Sequence, residues 1–313
     1  MNITVRPALL DDTSAISGLF RAQVTVWQRL AVGGAVETVP YEHLTLHERW
    51  THGGAWMSVE TGAVHLSRLM RGIALACVAE IDGEIVGYAE AYPGDEPAPY
   101  GRHLHLAHLI MTPDYFTAAD ALMRYLIAEA ERSKHPRLTV SLGGASDDMA
   151  DFYAGYGFNE IAQVTRYTLA TREGQVFYRV SDLTSASAGQ IRGWYMPVGR
   201  TESAAQQWEA SMPSHWAVIP QVAAERVYRL VLNVAGQDAF VCLRQHAYDA
   251  RNLGLLLWAQ KALTPQILSA VRDWATRSGY RTLSLVVDPT TARLFGAEGE
   301  SDPFRRVVYA LDV

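Results

Sequence analysis

The sequence predicts an α+β protein made of two similar halves, each with a mixed, mostly antiparallel sheet flanked by helices. Two apolar runs rich in β-branched residues, 73–81 and 84–92, flank Asp82-Gly83, which is a strong signal for a tight hairpin. The order of predicted elements recurs in the second half, as a duplication would produce. A chain of 313 residues, 49% of them hydrophobic, also exceeds what one core usually serves. We therefore expect two domains.

The first half reads as an ordered series of strands and helices. A first strand covers residues 2–7, and Asp11 or Asp12 is expected to cap the helix that follows. Helical stretches are expected to continue to about residue 70, before the hairpin. The elements predicted after the hairpin are a strand at 103–111, a helix at 118–133, a strand at 137–142, a short helix containing Tyr153 and a strand at 160–169.

Matching positions in the two halves support the duplication. They include Arg6 with Arg179, Asp82-Gly83 with Ala235-Gly236, and Arg132-Ser133 with Arg277-Ser278. The offset between partners shrinks along the chain, as expected of a second copy with shorter loops. The polar stretch 171–175 is then the linker between a first domain, 1–170, and a second domain, 176–313.

Composition and charge exclude several classes of protein. A formal net charge of -6 and a pI near 5.9 provide no basic stripe for nucleic acid or anionic lipid. Cys77 and Cys242 both lie in apolar, strand-like runs, which is typical of buried thiols in a reducing compartment. The first residues show no signal-peptide pattern, and no apolar run approaches the roughly 20 residues of a membrane span. We expect a soluble, cytoplasmic protein without nucleic-acid or membrane partners.

The segment 151–158, Asp-Phe-Tyr-Ala-Gly-Tyr-Gly-Phe, ends the predicted short helix. Tyr153 lies five residues before Phe158, so a helical turn can present its hydroxyl to a cleft, while Gly157 supplies a left-handed cap. A core aromatic before a capped helix end is the alternative. The segment and the order of elements over 1–170 resemble the GNAT superfamily of acetyl-CoA-dependent N-acyltransferases. The tandem arrangement is similar to that of mycothiol synthase.

The resemblance implies acetyl-CoA as acyl donor and Tyr153 as the general acid that protonates the departing thiolate. A phenol titrates near 10 and a thiol near 8.5, so this proton transfer is feasible. The family's diphosphate loop, Gln/Arg-x-x-Gly-x-Gly/Ala, falls at 114–120, where no glycine is present. Asp114 and Asp120 would repel a diphosphate there unless they point away. The positions that the resemblance assigns to the donor are Leu109, Ile110, Met111, Phe116, Thr117, Ala118 and Ala119.

A base must accept a proton from the substrate ammonium, because only the neutral amine attacks a thioester. His108 is the first candidate, since it precedes the strand stretch that pairs with the pantetheine arm in the family. Glu90, on the preceding strand, is the second candidate, and an ordinary structural role is the alternative for each. His103 and His105 have the spacing of metal ligands on a strand, but no third ligand follows, so we expect no metal.

The second half lacks the acid, because Phe295 takes the place of Tyr153 and a phenyl ring has no proton to give. The leading hypothesis is thus an acyl-CoA-dependent N-acyltransferase that acts on a small amine, with its chemistry in the first domain. The alternative is a non-catalytic ligand-binding or regulatory module, since neither half has a glycine-rich loop. A homodimer is compatible with the sequence.

Overall fold

The computed structural model describes residues 3–31, 34–113, 115–143, 149–184, 187–223, 226–246 and 249–313. Within them the strands are β1 (Ile3–Pro7), β2 (Gln28–Leu30), β3 (Val36–Thr38), β4 (Leu75–Ile81), β5 (Glu84–Asp95), β6 (Arg102–Met111), β7 (Arg137–Gly143), β8 (Asn159–Ala170), β9 (Tyr178–Asp182), β10 (Tyr195–Val198), β11 (Val227–Val234), β12 (Gln237–His246), β13 (Asp249–Ala259), β14 (Thr282–Val287) and β15 (Glu300–Asp312). The helices are α1 (Thr13–Ala22), α2 (Leu46–Trp50), α3 (Val59–Arg68), α4 (Phe116–Arg132), α5 (Met149–Gly155), α6 (Ala204–Ser211), α7 (Pro220–Ala223), α8 (Pro265–Arg277) and α9 (Pro289–Ala292).

The chain forms two compact units. The first unit comprises Met1–Pro93, Leu106–Lys134 and His215–Ala224. The second comprises Gly94–His105, His135–Ser214 and Glu225–Val313. Strands β5 and β6 each contribute residues to both units. The division along the chain into domains at 1–170 and 176–313 stays a prediction.

The sheet of the first unit has the strand order β1-β4-β5-β6. Strand β1 pairs antiparallel with β4, and β4 pairs antiparallel with β5 across the predicted hairpin. Asp82 and Gly83 have φ values of 51° and 87°, the left-handed pair that a two-residue turn needs. Helices α1 and α3 cover one face around Ile16, Phe20 and Leu66, and α4 packs against β1 and β4.

Two details before the hairpin differ from expectation. The stretch predicted as helical contains the antiparallel pair β2–β3, whose turn is closed by a hydrogen bond from Ala31 to Ala35 and by Gly34 in the left-handed region. Asp12 stands at the N-cap position of α1, but its carboxylate accepts from Arg6 and from the Leu9 amide instead of capping the helix. For Asp12, the difference arises because Arg6 and the Leu9 amide compete for the carboxylate.

The sheet of the second unit has the order β7-β15-β8-β14-β13-β12-β11-β9. Among the described residues its neighbouring strands pair antiparallel, except β13 with β14, which run parallel from Asn252 opposite Thr282 to Leu255 opposite Leu285. The last strand, β15, lies between β7 and β8. Helix α8 covers the sheet with Ile267, Leu268 and Val271.

The predicted repeat is visible in local geometry. Ala235 and Gly236 join β11 to β12 with φ values of 52° and 77°, close to those of the first hairpin. Helices α4 and α8 both end in an arginine followed by a serine C-cap with nearly identical dihedral angles. Gly299, however, has a φ of -86°, so it does not repeat the left-handed cap of Gly157.

Gly199 follows β10 at a position with no room for a side chain. Its φ is +87°, and a Cβ there would stand 2.9 Å from the Leu255 carbonyl oxygen. We expect Gly199→Ala to cost about 1–2 kcal/mol for the left-handed backbone and about 1–3 kcal/mol more for overpacking. Gly236→Ala is the matched control, since its φ is +77° but the space around it is open. Urea unfolding checks this, and equal losses in the two variants would contradict it.

No helix in the described part of the chain is long and apolar enough to cross a membrane. Cys77 and Cys242 are buried free thiols, as expected. Burial raises the pKa of the Cys77 thiol to about 12.

Candidate active site

A buried carboxylate with four donor groups lies at the centre of the first unit. Glu90 on β5 is 1% exposed. Its oxygens accept hydrogen bonds from the Tyr88 hydroxyl at 2.8 Å, the Tyr92 hydroxyl at 2.6 Å and the Trp56 indole at 3.1 Å. The fourth partner is the Nε2 atom of His65, 3.0 and 3.2 Å from the two carboxylate oxygens. These contacts hold the carboxylate in one orientation.

The neighbours of Glu90 also set its charge. Burial alone would raise the pKa of the Glu90 carboxyl. The charges of His65 and His108 and the hydrogen bonds from His65 and Tyr92 lower this pKa by more than burial raises it. The net pKa is well below the ordinary value. Glu90 therefore stays ionised at neutral pH, and its lone pairs are already engaged.

His65 was not singled out in the sequence. It lies on α3, three residues after Gly62 and next to Leu66, both of which are buried. That spacing places His65 at the edge of the helix face that covers the sheet. Trp56 packs edge-on against its ring, with centroids 5.4 Å apart. The helical pattern around 59–68 was the only signal that could have indicated it.

His108 lies on β6 in the same unit, half-buried, with its ring edge-on to Phe20 at a centroid distance of 5.1 Å. It is close enough for its charge to act on Glu90. The two candidate bases of the sequence are therefore brought together. His103 and His105, by contrast, belong to the second unit and are fully buried.

The stretch assigned to the acyl donor is the end of β6 and the start of α4. Leu109, Ile110 and Met111 are half-buried, and α4 begins at Phe116. Among the described residues, the N-cap residue Tyr115 makes no capping hydrogen bond with its side chain, and the first turn of the helix contains no acidic residue. Unpaired amides at such a helix start bind anions.

The side chains around this helix start leave it accessible. Phe116 is 66% exposed and Thr117 is exposed, whereas Ala118 and Ala119 lie on the buried face of α4. Asp120 forms an ion pair with Arg124 at 2.6 Å, which offsets its negative charge. Asp114 lies outside the described residues. The residues present thus fit a diphosphate without the family's glycines.

Tyr153 lies in the second unit, on α5, and is 3% exposed. Phe152 and Phe158 pack edge-on against its ring, each at 5.3 Å between centroids. Gly157 has a φ of 90°, which confirms the predicted left-handed cap, and the Phe158 amide returns to the Tyr153 carbonyl at 3.1 Å. The motif therefore folds as expected, and the acid role of Tyr153 stays a prediction.

The corresponding positions of the second half differ chemically. Phe295 is 4% exposed and packs against Tyr167. Helix α8 is capped by the Thr264 hydroxyl, which accepts from the Ile267 amide at 3.3 Å, and Pro265 occupies its first turn. A capped start with proline offers fewer unpaired amides to an anion than the start of α4 does.

The two histidines with metal-ligand spacing have other partners. His105 contacts Thr139 Oγ1 at 2.9 Å and Glu202 Oε2 at 3.0 Å. His103 contacts the Gly101 carbonyl at 2.9 Å and lies 3.5 Å from Glu96. Across the described ranges, no group of three or more histidine, cysteine or acidic residues is placed to hold a metal ion.

Comparison with known proteins gives these features a family context. Residues 40–158 match the sequence profile of the acetyltransferase (GNAT) family. That stretch includes Glu90, His108, the start of α4 and Tyr153. No curated protein matches the chain in sequence.

Solved structures with low sequence identity share the fold over the whole chain. A GCN5-related N-acetyltransferase from Anabaena variabilis is 11% identical with a TM-score of 0.61, covering 99% of this chain and 73% of that one. Another, from Kribbella flavida, is 13% identical with a TM-score of 0.57, covering 99% and 71%. A tandem GNAT protein from the clavulanic acid biosynthesis pathway is 14% identical with a TM-score of 0.50, covering 99% and 98%. Residues 40–158 are therefore similar to the acetyltransferase (GNAT) family, and nearly the full length of the chain has a fold similar to that of a tandem GNAT protein.

Proposed function

We propose that this protein transfers an acyl group from an acyl-CoA thioester, with acetyl-CoA as the donor, to a small-molecule amine. The observation that carries the proposal is the uncapped, acid-free start of α4 within the stretch that matches the family. The chemistry belongs to the N-terminal part of the chain. The second half, with Phe295 and a capped α8, serves a structural or substrate-shaping role.

The donor is held by two kinds of main-chain group. The first-turn amides of α4, at Phe116 and Thr117, bind the diphosphate by helix-terminus attraction. The end of β6, at Leu109, Ile110 and Met111, pairs with the pantetheine arm, as the family resemblance implies. An amide of this strand polarises the thioester carbonyl, so that negative charge developing on oxygen is stabilised.

Acyl transfer requires two proton movements. The amine loses a proton to a base, its nitrogen bonds to the thioester carbon, and the carbon–sulfur bond breaks. We assign the base to the group of ionisable residues around Glu90, which includes His108, and the proton for the departing thiolate to the Tyr153 hydroxyl. A small amine that is positively charged in solution fits a chain whose formal net charge is -6.

The proposal is tested by a thiol-release assay with acetyl-CoA and a panel of small amines. We expect at least one amine to accelerate release of free CoA above the rate of hydrolysis, with an acylated amine found by mass spectrometry. Binding of acetyl-CoA without turnover of any amine would favour the non-catalytic binding module instead. Absence of both binding and turnover would contradict any role for the donor.

A further inference from the structure

The contact between Glu90 and His65 uses only one of the two nitrogens of the imidazole ring. The carboxylate is buried, and it engages only the Nε2 atom of the imidazole. Within the described residues the Nδ1 atom of His65 has no hydrogen-bond partner, and the side chain keeps 18% of its surface exposed. A carboxylate on one imidazole nitrogen fixes the tautomer and leaves the other nitrogen as a proton acceptor.

We propose that His65 is the residue that accepts the proton of the acceptor amine, and that Glu90 is its positioning residue. The Nε2–H bond to Glu90 leaves the Nδ1 lone pair available. A proton of the ammonium moves to Nδ1, the freed nitrogen lone pair attacks the thioester carbon, and the carbon–sulfur bond breaks. The second proton lost by the nitrogen reaches the departing thiolate by way of the Tyr153 hydroxyl, and the proton on Nδ1 passes to solvent. This role rests on the proposed acyl transfer.

Glu90 itself is a poor base for this step. Four donors already engage its oxygens, and its pKa is lowered by the surrounding charges and hydrogen bonds, although burial alone would raise it. A carboxylate held in this way cannot take up a proton near neutral pH. Its negative charge instead favours a positive ring at His65 after proton transfer.

Charged and polar groups from three elements surround the contact between Glu90 and His65. Glu90 on β5 is the facing anion, and Tyr88 and Tyr92 on the same strand are neutral hydrogen-bond donors to it. From β6, His108 acts on Glu90. On α3 itself, Arg68 follows one turn after His65. Loss of the anion should therefore remove the contact that fixes the orientation and tautomer of the ring.

The first test uses steady-state kinetics with acetyl-CoA and an active amine. His65→Gln should lower kcat by roughly 10²- to 10⁴-fold with unchanged acetyl-CoA affinity, and added imidazole should restore part of the rate in His65→Ala. Glu90→Gln should also lower kcat without weakening acetyl-CoA binding, and it should cause little further loss when it is added to His65→Gln. His108→Gln, measured in parallel, should have a smaller effect than His65→Gln.

A second measurement does not depend on turnover. ¹⁵N NMR of the histidine rings should show His65 with a proton on Nε2 and none on Nδ1 at high pH. The opposite tautomer would overturn the inference even in an active enzyme. Normal turnover of His65→Gln overturns the catalytic role alone, whereas absence of turnover with every amine overturns the proposed function together with it.

Discussion

Arg200→Ala is expected to lower the free energy of unfolding by about 3–5 kcal/mol. In the second unit, Arg200 and Glu96 form a two-point ion pair at 2.9 and 3.1 Å, with both side chains only 3% exposed. The guanidinium stacks 3.3 Å from the centroid of the Tyr100 ring, and Glu96 also accepts from the Ala204 amide at 3.1 Å. Truncation of Arg200 leaves Glu96 as a buried anion without its cation, which is the costly state.

The loss of unfolding free energy in Arg200→Ala should become smaller as the pH falls. Burial alone would raise the pKa of Glu96, and Arg200 lowers it below the ordinary value. In the wild type, Glu96 thus contributes stability above the pKa of the unfolded chain, and this contribution is lost as pH falls through the lower folded pKa. Without Arg200 the pKa of Glu96 should rise, so the variant's deficit should be smaller at pH 4 than at pH 7.

Urea unfolding at both pH values measures this expectation. Arg29→Ala is the control, because its pair with Glu37 at 3.0 Å is exposed and such pairs contribute only about 0–1 kcal/mol. The double variant Glu96→Leu/Arg200→Met should recover most of the loss, since an apolar pair of similar volume needs no charge compensation. A deficit of Arg200→Ala no larger than that of Arg29→Ala would refute the account of this pair.

Tyr153→Phe is expected to reduce turnover by roughly 10²- to 10⁴-fold while acetyl-CoA affinity stays nearly unchanged. The substitution removes only the hydroxyl, and the phenyl ring can keep its packing between Phe152 and Phe158. The departing thiolate then lacks its proton donor, whereas binding of the donor molecule is unaffected.

The neighbouring Tyr156 supplies a matched control for this variant. It is half-buried and packs against Phe152, so Tyr156→Phe makes the same chemical change close by. We expect its turnover to stay within a few-fold of the wild type. Steady-state rates, calorimetric titration with acetyl-CoA and thermal unfolding together distinguish an acid role of Tyr153 from a packing role. If Tyr153→Phe lost stability or donor affinity instead of turnover, Tyr153 would be a packing residue.

Elements with local signals were predicted well from the sequence. The Asp82-Gly83 turn, the ends of α4 and the cap at Gly157 each depend on residues within a few positions, so their patterns are readable without tertiary information. The repeat was also readable, because each copy of the hairpin uses the same backbone geometry. Strand β10 was not predicted, since it is short and pairs with the distant strand β13. Strands β2 and β3 pair with each other but have only three residues each, too few to show a clear alternation.

The candidate site was only partly predictable for a similar reason. Glu90 and Tyr88 are two residues apart on β5, so alternation along the strand places them on one face, and their hydrogen bond agrees with this. The hydrogen bonds from the Trp56 indole and the His65 imidazole come from separate elements, so no spacing in the sequence could indicate that both groups meet on the Glu90 carboxylate. His65 emerged only from the three-dimensional contacts of Glu90.

The central claim, that the first turn of α4 binds the diphosphate of the donor, is tested most directly by calorimetric titration of acetyl-CoA into Thr117→Glu and Thr117→Gln. Thr117 is exposed in that turn, and an acidic residue there should stabilise the helix by about 0.3–1 kcal/mol. The same charge should repel a diphosphate, so we predict that Thr117→Glu binds acetyl-CoA at least about 10-fold more weakly than Thr117→Gln, a difference of about 1.4 kcal/mol. Equal affinities in the two variants, with both folded, would contradict the claim.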